Sequence, residues 1–197
     1  MGAAAGEEHR PAELFSKPLV DGKPEPLTGR GRTLESRAYT GQGGGFVSLD
    51  GSGNYRLAAA RRDIAVDLRP AAGADSVVAV HDAFADPVAH TYAWQLSPEA
   101  GTAITLGATE SGARTFLFRK GDGWLKGWIL NPGGAELSIE KGAFKVTRTG
   151  TEADFRIVLA VGKGASAPTA ATEGSTLMLG STAYDLADLR GHLETAG

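Results

Sequence analysis

His81, His90 and Tyr92 lie within twelve residues of one another and, with Asp82 beside the first, are the side chains in this sequence best suited to moving protons. Brought within hydrogen-bond reach of a substrate, an imidazole and a phenol serve as general base and acid, so His81, His90 and Tyr92 form the candidate catalytic cluster. Two histidines and Asp82 would equally suit a metal. The plainer alternative is that His81 and Asp82 end a buried strand and hydrogen-bond loop backbone, as turn aspartates do. A second group suits binding. Trp94, Trp124 and Trp128 with Tyr92 could present a platform for sugar rings. In a strand, Trp124, Lys126 and Trp128 share one face, a composition fit for an acidic glycan. Tryptophan is also mostly buried on average, which makes core packing the competing expectation. Arg61 and Arg62, with Arg56 and Arg69 nearby, could grip carboxylates bidentately, or protect a sheet edge.

Other chemistries find less support. Cysteine is absent, which removes thiolate nucleophiles, thiolate metal sites and disulfides. Gly51-Ser52-Gly53 reads as a hairpin turn and not as a strand-to-helix nucleophile elbow. Gly43-Gly44-Gly45 has no following Gly-Lys-Ser/Thr and reads as a flexible turn, not a phosphate loop. Asp50, Asp67, Asp82 and Asp86 could supply a carboxylate pair for glycoside hydrolysis only if the fold set their separation correctly.

The elements that must position these residues are strands. Twenty-eight glycines and nine prolines punctuate short apolar runs, which is the turn chemistry of many brief strands. Leu19 to Pro24 reads as a strand with an Asp21-Gly22 turn. Thr33–Tyr39 and Phe46–Leu49 follow, then a strand in which Ile64, Val66 and Leu68 alternate with Asp63, Ala65 and Asp67 and are expected to point inward. Ser76 to Val80 is apolar without alternation, as a strand covered on both faces would be. Tyr92, Trp94 and Leu96 alternate again. Strands are expected at 102–106, 114–119, 124–130, 136–139, 143–148, 154–161 and 176–179, with a short helical turn within Tyr184 to Leu193. Residues 1–14 read as a flexible arm and 15–197 as one domain. The predicted fold is an all-β, two-sheet antiparallel sandwich of more than ten short strands, with a short C-terminal helix.

With 197 residues, a net charge of −3 and scattered Lys and Arg, the chain has no basic field for nucleic acid. It has no apolar run long enough for a membrane-spanning helix. The first residues lack a basic and an apolar signal region, so the protein is expected to be soluble, and extracytoplasmic only if a leader has been removed.

Five pieces, in order, resemble the β-sandwich domain of heparinase II/III-like polysaccharide lyases: Pro18-Leu19-Val20-Asp21-Gly22-Lys23; Val47-Ser48-Leu49-Asp50 leading to Tyr55; Ala60-Arg61-Arg62-Asp63-Ile64; Ser76-Val77-Val78-Ala79-Val80-His81-Asp82; and Tyr92-Ala93-Trp94-Gln95-Leu96. The resemblance implies elimination across the C4–C5 bond of a uronic acid. It also implies a Tyr/His pair supplied mostly by a preceding helical toroid, a His from the sandwich, and in some members zinc. This chain departs from that pattern. Phe15-Ser16 stands where a His-Asn is expected and Ser97 where a His ligand is expected, leaving only Asp50 of the metal set. Zinc needs three or four protein ligands, so no cofactor is expected. The expectation is a module that binds acidic polysaccharide, with a helical catalytic domain or partner chain supplying most of the chemistry. The alternatives are a protein-interaction module, or a small stand-alone enzyme using His81, His90 and Tyr92.

Overall fold

The computed structural model describes residues 17–24, 31–39, 43–68 and 73–190. The expected arm at 1–14, Phe15-Ser16, Arg69 and the end of the expected C-terminal helix lie outside the described residues. Fourteen strands are present among the described residues, in two antiparallel sheets. The larger sheet runs β3 (Arg32–Tyr39), β4 (Gly44–Asp50), β5 (Ala59–Asp67), β6 (Ser76–Leu96), β11 (Ala143–Lys163), β9 (Gly123–Ile129), β8 (Ala113–Lys120), β7 (Ala103–Glu110). β1 (Leu19–Val20), itself paired with β2 (Lys23–Pro24), adds to β6, and β10 (Glu136–Glu140) adds to β11. The smaller sheet is β12 (Ala171–Glu173), β13 (Thr176–Leu179) and β14 (Thr182–Asp185).

The sandwich arises because two long strands fold over. β6 and β11 pair along nearly their whole length, but Asp86–Ala89 of β6 stand opposite Thr151 alone, where the register shifts. An extended strand would hold residues eight apart at about 27 Å. Phe84 and Tyr92, both on β6, instead stack with ring centroids 5.3 Å apart. The strand pair therefore turns a sharp corner at Pro87 and Thr151. Its second half, with β1 and β10, lies back over the first. Rings meet across the layers: Phe144 of β11 stacks on Phe116 of β8 at 4.0 Å, and Trp94 of β6 lies 6.4 Å from Phe116. Val20, Tyr92, Trp94, Phe144 and Val146 from one layer and Phe116, Ile129, Phe155, Ile157 and Leu159 from the other make one continuous core. The tight two-residue turns follow the residues present. Asp21-Gly22 and Lys141-Gly142 each place both residues at positive φ, the mirror-image turn that matches strand twist.

The opposite face of the larger sheet is covered by the C-terminal sheet. Leu177, Leu179, Tyr184, Leu186 and Leu189 pack on Phe46, Ala65, Val77, Ala79, Trp124, Trp128, Val158 and Ala160. This corrects the expected orientation of β5. Ala65 and Asp67 are the buried side chains, while Leu68 is exposed, because Tyr184 reaches down to donate to Asp67 at 3.1 Å. Ser76 to Val80 is covered on both faces as expected, Val77 and Ala79 by the C-terminal sheet and Val78 and Val80 towards the other layer. Two further expectations are corrected. The Gly51-Ser52-Gly53 segment forms a single helical turn, α1 (Ser52–Tyr55), and Tyr184 belongs to β14, not to a helix.

Candidate functional site

The fold separates the proposed catalytic cluster. His81 projects from the face of β6 that also carries Val77 and Ala79, where its Nε2 lies 3.2 Å from an Asp154 oxygen but off the axis of a good hydrogen bond. Asp82, its neighbour, points through the sheet and is fully buried against Arg62, so no metal-holding group forms from His81, Asp82 and His90. The expected strand end at His81-Asp82 is also corrected, since β6 continues through both residues. His90 and Tyr92 do meet, with ring centroids 5.8 Å apart, beyond the corner.

His90 acts there as a clamp. Its Nδ1 is 2.7 Å from Asp21 Oδ2 in the β1–β2 turn, and its Nε2 is 3.6 Å from Asp86 at the corner. Asp21 also accepts from the Thr91 N–H, and Asp86 from those of Val88 and Ala58. The hydrogen bond that His90 donates to Asp21 raises the imidazole pKa against the opposing effect of burial, and Asp86 adds to the rise. A raised folded-state pKa means that the clamp's stabilisation is complete below about pH 6.5 and is lost as the pH rises through the folded value. Thermal midpoints should therefore fall between about pH 6 and 9 in the native chain. In His90→Asn that part of the pH dependence should vanish, and an unchanged slope would rule the clamp out.

Tyr92 is fully buried and its hydroxyl has no hydrogen-bond partner among the described residues. Its pKa is raised first by burial and then by the negative charges of Asp86 and Asp21, so it stays protonated. An orphaned buried hydroxyl costs about 1–3 kcal/mol. Tyr92→Phe should accordingly leave stability unchanged or raise it by about 1 kcal/mol in urea unfolding. A clear loss would reveal a partner for the hydroxyl.

The tryptophan platform is also corrected. Trp124, Lys126 and Trp128 do share one face of β9, but it is the face beneath the C-terminal sheet, and the tryptophans are 2% and 0% exposed. Trp124 lies over its cross-strand neighbour Gly162, where a Cβ would come within 2.4 Å of the ring. Trp94 is equally buried between the two main layers. Lys126 crosses Trp128 at 5.0 Å and bonds Glu110 Oε1 at 2.6 Å and the Pro168 carbonyl at 2.9 Å. Trp128 Nε1 donates to the other Glu110 oxygen at 3.0 Å. These side chains fasten the 165–170 segment and offer nothing to a ligand.

Arg61, Arg62 and Asp50 do come together. They line a cleft of about 310 Å³ with Lys17, Pro18, Arg32, Asn54, Tyr55, Asp82 and Phe84, at the end of β4 and β5 where α1 closes the sheet. Arg62 and Asp82 stand opposite each other on β5 and β6 and form a two-pronged pair of 2.6 and 2.7 Å on the cleft wall. Arg32, opposite Asp50 on β3, donates to Asp50 Oδ2 at 3.0 Å, and Ser52 N and Oγ donate to Oδ1 at 3.0 and 2.6 Å. These donors, the Ser52 hydroxyl first, pull the Asp50 pKa down to about 2. Arg32 and Arg61 keep side chains 73% and 58% exposed, at the mouth. Four cationic side chains against two carboxylates give the cleft a net positive lining. Lys17 and Arg32 were missed in the sequence because only strand pairing brings them to Arg61. A zinc ion does not fit here. Both Asp50 oxygens are engaged, one by a guanidinium, and no three His, Asp or Glu gather in a metal-like group among the described residues.

The sequence matches no protein-family model and no curated protein. Solved structures do resemble it. Heparan sulfate lyase HepC from Pedobacter heparinus superposes with a TM-score of 0.62 and 15% identity over 91% of this chain and 32% of its own. A mutant of the same lyase gives the same TM-score over 92% of this chain. A heparinase III gives a TM-score of 0.58 and 13% identity over 91% of this chain and 32% of its own. The shared feature is the fold. This chain spans about a third of the length of the lyases it matches.

Proposed function

We propose that this chain is a β-sandwich module of a heparinase II/III-like polysaccharide lyase, and that it binds an acidic, uronate-containing polysaccharide in the Arg61 cleft while lacking most of the β-elimination machinery. The observation that carries this reading is the pair of exposed guanidinium groups, Arg32 and Arg61, at the mouth of a positively lined cleft. Planar guanidinium forks match carboxylate and sulfate oxygens in a way that an ammonium does not. The fold shared with about a third of each heparinase supports it, the remaining two thirds being the proposed place of the catalytic groups. The separation of His81 from His90 and Tyr92 supports a binding role over a stand-alone enzyme.

Binding of heparan sulfate, hyaluronan, alginate and polygalacturonate to the purified chain, followed calorimetrically with neutral dextran as control, tests the proposal. At least one uronate polymer should bind and dextran should not. Arg32→Ala with Arg61→Ala should weaken binding about tenfold or more, two exposed charge-assisted contacts being worth at least about 1.4 kcal/mol together. No ultraviolet absorbance from an unsaturated uronate should develop. Turnover by this chain alone would overturn the incomplete-enzyme part, and a double variant that binds like the native chain would overturn the assignment of the cleft.

A further inference from the structure

The Lys17-Pro18 segment and α1 form two walls of the Arg61 cleft, and they touch where the Tyr55 hydroxyl donates to the Pro18 carbonyl at 3.0 Å. Each wall is anchored again behind the cleft. Lys17-Pro18 continues directly into β1 and its turn, where Asp21 exchanges hydrogen bonds with Thr91: the Asp21 N–H donates to the Thr91 carbonyl at 2.8 Å and the Asp21 carboxylate accepts from the Thr91 N–H at 2.9 Å. Just past α1, the Ala58 N–H donates to the Asp86 carboxylate at 3.1 Å. His90 stands between the two aspartates, 2.7 Å from Asp21 and 3.6 Å from Asp86. A run of touching rings follows the same line, His90 on Tyr92 at 5.8 Å, Tyr92 on Phe84 at 5.3 Å and Phe84 on Tyr55 at 5.9 Å. The last two of these rings line the cleft.

A neutral imidazole has one N–H and an imidazolium has two. Only the charged ring can present a proton to both aspartates, and a neutral ring that keeps Asp21 turns a lone pair on Asp86. Among the described residues, the charged groups facing the ring are Asp21 from the β1–β2 turn and Asp86 from its own strand, with Lys23 of β2 acting on Asp21. β11 sets Gly150 opposite His90, and Arg148, opposite Tyr92, turns to the carbonyls of Asn131 and Gly133. The pKa values agree with this arrangement. His90 is raised, first by its bond to Asp21, while Asp21 and Asp86 are lowered, first by the Thr91 and Val88 N–H groups.

We infer that His90, although outside the cleft, is the positioning residue that holds its two walls together, so that the cleft binds an anionic polymer tightly while the imidazole is charged and weakly once it is neutral. In its binding consequence this rests on the polysaccharide reading above. Uronate carboxylates are ionised throughout about pH 6 to 9, so the polymer's own charge does not change in that window. Calorimetry at constant ionic strength with heparan sulfate, hyaluronan, alginate and polygalacturonate should show affinity falling at least about fivefold from pH 6 to 9 for whichever of them binds the native chain. His90→Asn should bind at both ends of the window as the native chain does at its alkaline end. Asp86→Asn, which keeps an acceptor for Ala58 and loses the charge, should at least halve the effect, with unfolding midpoints as the control for folding. In the ligand-free native chain, protection of the Ala58 and Thr91 amides from hydrogen exchange, relative to the unstructured rate at the same pH, should fall over the same window. A bound polymer whose affinity is flat with pH, or falls equally in folded His90→Asn, overturns the inference and leaves the cleft reading standing. Failure of all four polymers to bind, with amide protection that responds to pH, overturns the polysaccharide reading and leaves the hold of His90 on the walls standing. Protection that ignores pH overturns that hold.

Discussion

Replacing Arg62 by alanine is expected to lower the free energy of unfolding by about 3–5 kcal/mol, the cost of leaving a buried charge without its partner. Asp82 is 0% exposed, and both its oxygens accept from Arg62, at 2.6 and 2.7 Å. On the cleft wall its carboxylate is covered by the Arg62 guanidinium, and removing that side chain takes away the partner of both oxygens. Both partners removed together is a different case, because well-packed apolar replacements spare the cost of desolvating two ions. Arg62→Met combined with Asp82→Leu should be close to neutral or stabilising. Urea unfolding at neutral pH, with the denaturant slope checked for constancy, measures both. A single-variant loss below about 1 kcal/mol would mean that Asp82 finds another partner and that the pair does not hold the cleft wall.

Replacing Glu110 by alanine should cost about 3 kcal/mol, from two hydrogen bonds involving charge at about 1.5 kcal/mol or more each. Lys126 is 9% exposed and would keep only the Pro168 carbonyl, while the Trp128 indole would lose its acceptor altogether. Glu110→Gln keeps an oxygen for one of the two donors and should cost about half as much. Burial alone would raise the Glu110 pKa, but the hydrogen bonds from Lys126 and Trp128 and the lysine charge bring it below the ordinary value. A lowered folded-state pKa gives stability that is present above about pH 4.3 and lost as the pH falls through the lower folded value. The difference between native chain and Glu110→Ala should therefore shrink in acid, and a constant difference would mean that the charge is irrelevant. The first region to loosen should be 165–170 with the C-terminal sheet, which Lys126 and Arg119 fasten by their carbonyls.

Strand content was legible because alternation of apolar residues is a local property. Of the expected stripe Phe155, Ile157, Leu159 and Val161 on β11, the first three lie in one core as their spacing predicts, while Val161 is exposed. What covers each face is a distant property, and there the reading failed. Ile64 and Val66 looked like the inward face of β5, yet Tyr184, more than a hundred residues away, packs on the other side against Ala65 and Asp67. The tryptophans of β9 were placed on a shared face correctly, but the sheet that buries them lies beyond a Gly/Ala/Ser-rich segment that carries no pairing signal. In the sequence, Ser76 to Val80 and Tyr92 to Leu96 read as separate strands, as do 143–148 and 154–161, with Pro87 and Gly150 between the members of each pair. In the fold they mark the corner at which one strand bends. Of the site, Arg61, Arg62 and Asp50 were recognisable as residue types near one another in sequence. Arg32 and Lys17 become their neighbours only through the pairing of β3 with β4 and the position of the chain before β1.

The shared corner of β6 and β11 also bears on how the protein folds. Neither layer owns its central strands, so neither can be completed while the other is absent, and the chain offers no point at which it could fold in halves. The hairpins between them, β7 with β8 and β8 with β9, close through short turns and can zip early. Joining Ser76 to Val161 must wait until the whole intervening chain has been gathered in, and closures across such long stretches are the slow ones.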